Sequence, residues 1–286
     1  MEYIYDMHFT ILLKSKIKVI KFLKYLLAKL GVGITSYAKL VDLQNQALEN
    51  LARDQAADKS LKDLEFLRAF SPADQELMTL LMSKSKSQIR QDLFVLAETN
   101  FKKSGYFVEF GATNGVDFSN SYLLEKEFSW SGILAEPARV WKNELLVNRS
   151  NVSIETLCVW KDSNSTLTFN ECDIPAISTI KSFSDKDVHK NLRVPGKNYK
   201  VDTISLNDLL VKYQAPKYVD YLSIDTEGSE YDILNAFDFN EFSFGVITVE
   251  HNYTPQRELI YALLTSWGYK RKYEDISAFD DWYVKI

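Results

Sequence analysis

The chain has 286 residues, a formal net charge of -5 and an apolar share of 46%. That is the composition of a folded globular protein able to bury a sizeable core, and the acidic balance argues against a nucleic-acid partner, which needs a basic surface. The two cysteines, Cys158 and Cys172, and the three histidines, His8, His189 and His251, show no metal-type spacing, and the cysteine usage suits a reduced, cytoplasmic setting.

Residues 9–30 read FTILLKSKIKVIKFLKYLLAKL. Lysines break the apolar run, so it is neither a membrane span nor, with no small-residue cleavage site behind it, a cleaved signal. On a helical wheel Leu12, Val19, Ile20, Leu23, Leu26, Leu27 and Leu30 share one face. Lys14, Lys18, Lys21, Lys24 and Lys29 share the other, and Lys16 falls off the pattern. Such a helix suits peripheral contact with the inner face of an anionic membrane, or packing on its own domain or on a second copy of the chain.

Residues 35–83 are polar and helical in pattern. Leu40, Leu43, Leu48, Leu51, Leu61, Leu64 and Leu67 keep no strict heptad. Ser71-Pro72 predicts a helix start, with Ser as N-cap, Pro in the first turn and Asp74 behind it. Residues 1–83 therefore read as a helical extension and 84–286 as the main domain.

From about residue 87 short apolar runs alternate with helical patterns. The expected strands are Tyr106–Phe110, Gly132–Ala135, Val152–Val159, Tyr221–Ile224, Val246–Val249, Tyr269–Tyr273 and Trp282–Lys285. Strand–helix alternation predicts an α/β fold with a mostly parallel sheet. The short link between the last two strands predicts an antiparallel C-terminal hairpin at the sheet edge.

Four strand ends carry chemistry. In YFVEFGATNG (106–115) a strand ends in Glu109, and Gly111-Ala112-Thr113-Asn114-Gly115 turns the chain; glycine there permits close backbone approach. In GILAEP (132–137) a second strand ends in Glu136, before Pro137, and an acid at that place can take both hydroxyls of a ribose. In YLSIDTEGSE (221–230) a strand delivers Asp225, Glu227 and Glu230. These acids suit a general base, a hydroxyl anchor, a metal ligand or the charged start of the next helix. In VITVEHN (246–252) Glu250, His251 and Asn252 follow a fourth strand, and His251 titrates near neutrality.

With these residues in place, Ser87 to Ile286 resembles the FkbM family of methyltransferases. SQIRQDLFVL, GYFVEFGATNG, FSNSYLLEKEFSWSGILAEP, VDTISLNDLL, LSIDTEGSEYDIL and DDWYVKI carry the likeness, in order. The resemblance implies a class I methyltransferase fold, a seven-stranded Rossmann-like sheet, with S-adenosyl-L-methionine (SAM) as cofactor. By that pattern Glu109, Gly111, Ala112, Asn114 and Gly115 surround the methionine part, and Glu136, with Pro137 beside it, holds the ribose. Cys158, at the end of the third strand, lies at the adenine; Gln88, Gln91 and Asp92 cover the cofactor; and Asp225 lies beside the methyl group. Thr113 stands where many methyltransferases have the middle glycine of GxGxG, which is usual for this family.

The resemblance further implies methyl transfer to a hydroxyl of a sugar, glycan or secondary metabolite; the residues at the strand ends offer Asp225 or His251 as the base. A divalent cation such as magnesium on Asp225, Glu250 and Asn252 is a variant that the residues leave open. Two other readings remain: an NAD-dependent Rossmann enzyme, though GxGxxG is missing, and a catalytically silent SAM-binding scaffold.

Overall fold

The computed structural model describes residues 34–286, without the side chains of residues 34–41, 43 and 44. The basic stretch 9–30 lies outside the described residues. The described chain divides after Glu65 into two compact units, so residues 66–83 belong to the larger one, Phe66–Ile286. No helix among the described residues is long and apolar enough to cross a membrane.

Helix α1 runs over Ile34–Arg68. Between residues 45 and 65 it has no buried side chain, which matches its lack of an apolar stripe. Helix α2, Pro72–Leu81, begins as its sequence predicts: Ser71 Oγ accepts the amide of Asp74 at 3.3 Å and donates to its carboxylate at 2.6 Å. Helix α3 spans Gln91–Glu98.

The main sheet uses β1 (Tyr106–Phe110), β2 (Ser131–Ala135), β3 (Ser153–Glu155), β8 (Tyr218–Ile224), β9 (Ser243–Glu250), β10 (Tyr269–Lys272) and β11 (Asp280–Lys285). Its order is β10-β11-β9-β8-β1-β2-β3. The β1, β2, β3, β8 and β9 neighbours pair parallel, and β11 runs antiparallel to both β9 and β10. This is the mostly parallel seven-stranded sheet of a class I methyltransferase-like fold. The antiparallel C-terminal hairpin lies at the sheet edge as expected, with β11 paired to β9 and β10 outermost.

Period-two alternation sends the strands' side chains to two cores. Val108, Phe110, Ile133, Leu222, Ile224, Ile247 and Val249 pack with α6 (Leu206–Lys212), α7 (Glu230–Ala236) and α8 (Gln256–Ser266). Phe107, Leu134, Tyr221, Val246 and Trp282 pack with Phe66, Phe70, Met78, α3, α4 (Tyr122–Phe128) and α5 (Lys142–Asn148). Both faces are covered, as a parallel sheet requires.

The expected strand Val152–Val159 splits in two. Glu155 Oε1 accepts the amides of Thr156 and Leu157 at 2.8 and 3.0 Å, and Lys212 holds its other oxygen. The chain turns there, leaves the main sheet, and re-forms as β4 (Cys158–Trp160). With β5 (Thr166–Cys172), β6 (Thr179–Ile180) and β7 (Gly196–Ser205) this strand makes a second, four-stranded sheet that the alternation pattern did not predict. Its core is Ala138, Cys158, Trp160, Phe169, Ile180 and Val201.

Candidate active site

The carboxyl ends of β1, β2, β8 and β9 meet at one end of the main sheet, where open α/β sheets hold ligands. After β1, Gly111, Thr113 and Gly115 all take positive φ, 73°, 47° and 80°. Asn114 Oδ1 accepts the amides of Val116 and Asp117, which fixes this turn. Buried Arg149 braces it from behind by donating to the Gly115 carbonyl, Ser119, Ser121 and Glu125. The amides of Gly111 and Ala112 point at the Ala135 carbonyl, 3.1 and 3.4 Å away. The close approach at Gly111 is that of the main-chain oxygen of Asp225.

Glu109 is buried and already supplied with donors: the Asn120 amide at 2.7 Å, the Ser119 hydroxyl at 3.0 Å and the Ser121 hydroxyl. It ties the loop down and contributes negative charge.

Glu136 accepts one amide on each oxygen, Thr113 at 3.0 Å and Ala138 at 2.7 Å. A carboxylate oxygen has two lone pairs, so each keeps one for a ligand hydroxyl. Burial, with the charges of Asp225 and Glu171 added, raises its carboxyl to about 7. Pro137 beside it is half-buried and starts no helix, since α5 begins at Lys142. Cys158 requires a correction: it sits in β4 of the small sheet, not at the end of the third strand, because the chain turns at Glu155. It still lies close enough to Glu136 to feel its charge. Burial and that charge push the thiol up to about 12, so it stays protonated.

On α3, Gln91 donates to Asp280 at 2.9 Å and so reaches the site from the side. Asp92 faces its own helix start, where Ser85 donates to it at 2.8 Å and the Leu93 amide at 2.8 Å. Asp280 lies opposite Glu250 in the β9–β11 pairing, two buried acids side by side. Burial raises Asp280 to about 8.

Asp225, Glu227 and Glu250 each bring a carboxylate oxygen within 4.8 Å of the others. Carboxylates this close cannot all ionise freely, so the group favours holding a proton at neutral pH. Desolvation, together with the charges of Glu230 and Glu109, raises Asp225 to about 7. Glu227 and Glu250 are pushed well above the usual carboxylate range, first by burial and then by Asp225. Arg193 is the cation that reaches this group, 2.7 Å from Glu227, while a bidentate pair with Asp187 holds it in place. Glu230 serves the helix start instead, accepting the amides of Thr226 and Gly228 and the Thr226 hydroxyl. Asn252 donates to Glu227 at 3.3 Å, so the three-acid group contains Glu227 where the sequence suggested Asn252.

His251 is turned to other partners. Its Nδ1 accepts the Tyr253 amide at 2.9 Å, and its Nε2 faces Asp281 at 3.9 Å. Burial, then the charges of Arg257 and Arg271, lower it to about 4. Its basic nitrogen is occupied, and the ring remains neutral near pH 7. The structure thus adds Arg149, Arg193, Asn120 and Asp280 to the site. The sequence marks none of them locally, except Asn120 through the polar run FSNS before α4.

The sheet order, the inserted antiparallel strand and the acids at the ends of β1, β2 and β8 define a class I methyltransferase-like domain. The methyltransferase FkbM domain matches residues 109–271, more than half of the sequence. This chain belongs to the FkbM methyltransferase family. SAM is the cofactor that membership implies, and the donor set fits it: paired free lone pairs on Glu136 for a diol, and a surplus of buried acids for a cationic ligand.

Among solved structures, a methyltransferase FkbM from Methylobacillus flagellatus KT is 13% identical, with a TM-score of 0.39. That match covers 64% of this chain and 44% of the other, so the chain spans less than half of that relative's length. The precorrin-6y C5,15-methyltransferase of Geobacter metallireducens GS-15 is 13% identical over 63% of this chain and 71% of the other, with a TM-score of 0.36. The fibrillarin pre-rRNA processing protein of Methanococcus jannaschii is 12% identical over 67% and 73%, at 0.32. No curated protein sequence matches the chain.

Proposed function

We propose that this protein is a SAM-dependent O-methyltransferase that modifies a hydroxyl of a sugar, glycan or secondary metabolite. The observation that carries the reading is Asp225 at the end of β8: a carboxyl raised to about 7, grouped with Glu227 and Glu250 and packed by its main chain against Gly111. A base whose pKa lies near the working pH is the most effective acceptor of a hydroxyl proton. The acceptor class follows the family resemblance.

Glu136 would hold the ribose hydroxyls. Bound SAM supplies an electrophilic methyl group on a good leaving group. Asp225 orients the acceptor hydroxyl and takes its proton on a carboxylate oxygen, a contribution of roughly 10²–10⁴-fold. Orientation lowers the barrier further, by about several kcal/mol. A metal-assisted variant is favoured by the close group of Asp225, Glu227 and Glu250; a divalent cation there would lower the pKa of the hydroxyl instead.

The test is methyl transfer from isotopically labelled SAM to a panel of free sugars, glycosides and hydroxylated metabolites. The proposal expects label on oxygen, with kcat lowered about 100-fold or more in Asp225→Asn. Label on carbon or nitrogen, or an unchanged variant, would contradict it. Added EDTA separates the two variants, leaving turnover intact if Asp225 acts alone and abolishing it if a cation is required.

A further inference from the structure

We propose that Tyr199 of the small sheet is a positioning residue for the cofactor: it holds the chain segment that keeps the Glu136 carboxylate aimed at a ribose diol. This rests on the ribose reading of Glu136 and gives the small sheet a part in cofactor binding. Tyr199 lies on β7 and meets residues 138–140, which run from the end of β2 toward α5. Successive amides of that segment are taken by side chains. Ala138 donates to Glu136 Oε1 at 2.7 Å, Arg139 to the Tyr199 hydroxyl at 3.0 Å and Val140 to Glu171 Oε2 at 3.3 Å. Tyr199 closes the ring by donating to the same Glu171 oxygen at 2.7 Å.

Arg139 and Val140 are exposed, so water could serve their amides. Instead the acceptors reach across from the other sheet, 60 and 31 residues away in the chain. The segment is pinned at its side chains as well. Ala138 is buried with Phe169 and Val201 in the core of the small sheet. The Arg139 guanidinium lies 4.1 Å over the Tyr199 ring and donates to the Lys200 carbonyl at 3.2 Å. Tyr199 in turn leans on Phe169, with ring centroids 5.8 Å apart. Strand β7 thus grips both the backbone and the side chain of Arg139.

The consequence falls on Glu136. Its Oε2 is set by the Thr113 amide of the β1 loop, and its Oε1 by the Ala138 amide. The second anchor is only as fixed as the segment that carries it. A carboxylate held at both oxygens presents its remaining lone pairs in one orientation, pre-organised for two neighbouring hydroxyls. The Tyr199 hydroxyl fills its role only while protonated, since it donates to Glu171 as it accepts from Arg139. Burial and the neighbouring Glu171 charge hold its pKa above the usual phenol value.

The test is calorimetric titration of the full chain with adenosine and, separately, with 2′,3′-dideoxyadenosine, which lacks the hydroxyls assigned to Glu136. Tyr199→Phe keeps the ring under Arg139 and removes only the hydroxyl. It is expected to weaken adenosine about 3–10-fold, the loss of one hydrogen bond, and to leave dideoxyadenosine within about twofold. Retained dideoxyadenosine binding also shows that the variant is folded. In a Glu136→Gln background, with no carboxylate left to position, Tyr199→Phe is expected to weaken S-adenosylhomocysteine by less than about a further twofold. Equal weakening of both nucleosides, weakening of neither, or a full added loss in the Glu136→Gln background overturns the role of Tyr199 while the ribose reading stands. An unmodified protein that shows no preference for adenosine over dideoxyadenosine overturns both.

Discussion

Gly111 lies against the main-chain carbonyl of Asp225 so closely that a Cβ at position 111 would stand 1.9 Å from that oxygen. The residue also has a φ of +73°. Two demands therefore fall on one glycine, and together they lock the β1 loop onto the strand end that carries Asp225. Gly111→Ala must strain the backbone and displace a carbonyl that has no room to yield. We expect a loss of about 2 kcal/mol or more in urea unfolding, with methyl transfer lost as Asp225 shifts. Unchanged stability would mean that the loop is not locked in this way.

Glu136→Gln tests the ribose assignment. The amide cannot accept the Thr113 and Ala138 amides with both of its ends as the carboxylate does, and it loses the charge that strengthens ligand hydrogen bonds. Affinity for adenosine itself should fall about 10–100-fold. Adenosine carries the ribose without the amino-acid end, so this measurement reads the ribose contact by itself.

Arg193 is expected to matter for stability as much as for chemistry. Its side chain is fully buried, with Asp187 and Glu227 both at 2.7 Å. Arg193→Met leaves two buried acids without their cation and should cost about 3–5 kcal/mol. Arg193→Lys restores charge but not the bidentate fork and should recover only part. Equal stability of the two variants would show that the guanidinium geometry is unimportant.

Stability of the ligand-free protein should fall as the pH rises from about 4.5 to about 8.5. Burial raises Glu136 to about 7, Asp280 to about 8 and Asp92 to about 6, all above their unfolded values. The folded state then holds more protons than the unfolded state across that window, so raising the pH favours unfolding. His251 works the other way: lowered to about 4, it costs stability as pH falls below about 6.5. The three acids outweigh the one histidine, so calorimetric melting should be highest near about pH 4.5 and drop by several degrees toward about pH 8.5. A flat or rising curve would contradict the burial of these acids.

Much of the main sheet was legible because parallel strands covered on both faces read as apolar runs. Tyr106–Phe110 and Tyr221–Ile224 are such runs, and each ends in the acid that points to the site. The small sheet was not legible, since β7 alternates exposed Lys197, Lys200 and Asp202 with its few buried positions. The start of β11 hid in the same way: Asp280 and Asp281 are buried acids held by Gln91 and by Arg257. At the site, the strand-end carboxylates carry a local signal. Arg193 carries none, because it meets Glu227 only through a tertiary contact spanning 34 residues. His251 shows the converse, for its position after β9 suggested a base, while the Tyr253 amide and Asp281 decide where its nitrogens face.

The measurement that tests the central claim most directly is calorimetric titration of the ligand-stripped protein with S-adenosylhomocysteine, with NAD as control. The account predicts saturable binding of the homocysteine compound, abolished in Gly111→Val, and none of NAD. Binding of NAD in its place would contradict the account and point to a Rossmann oxidoreductase.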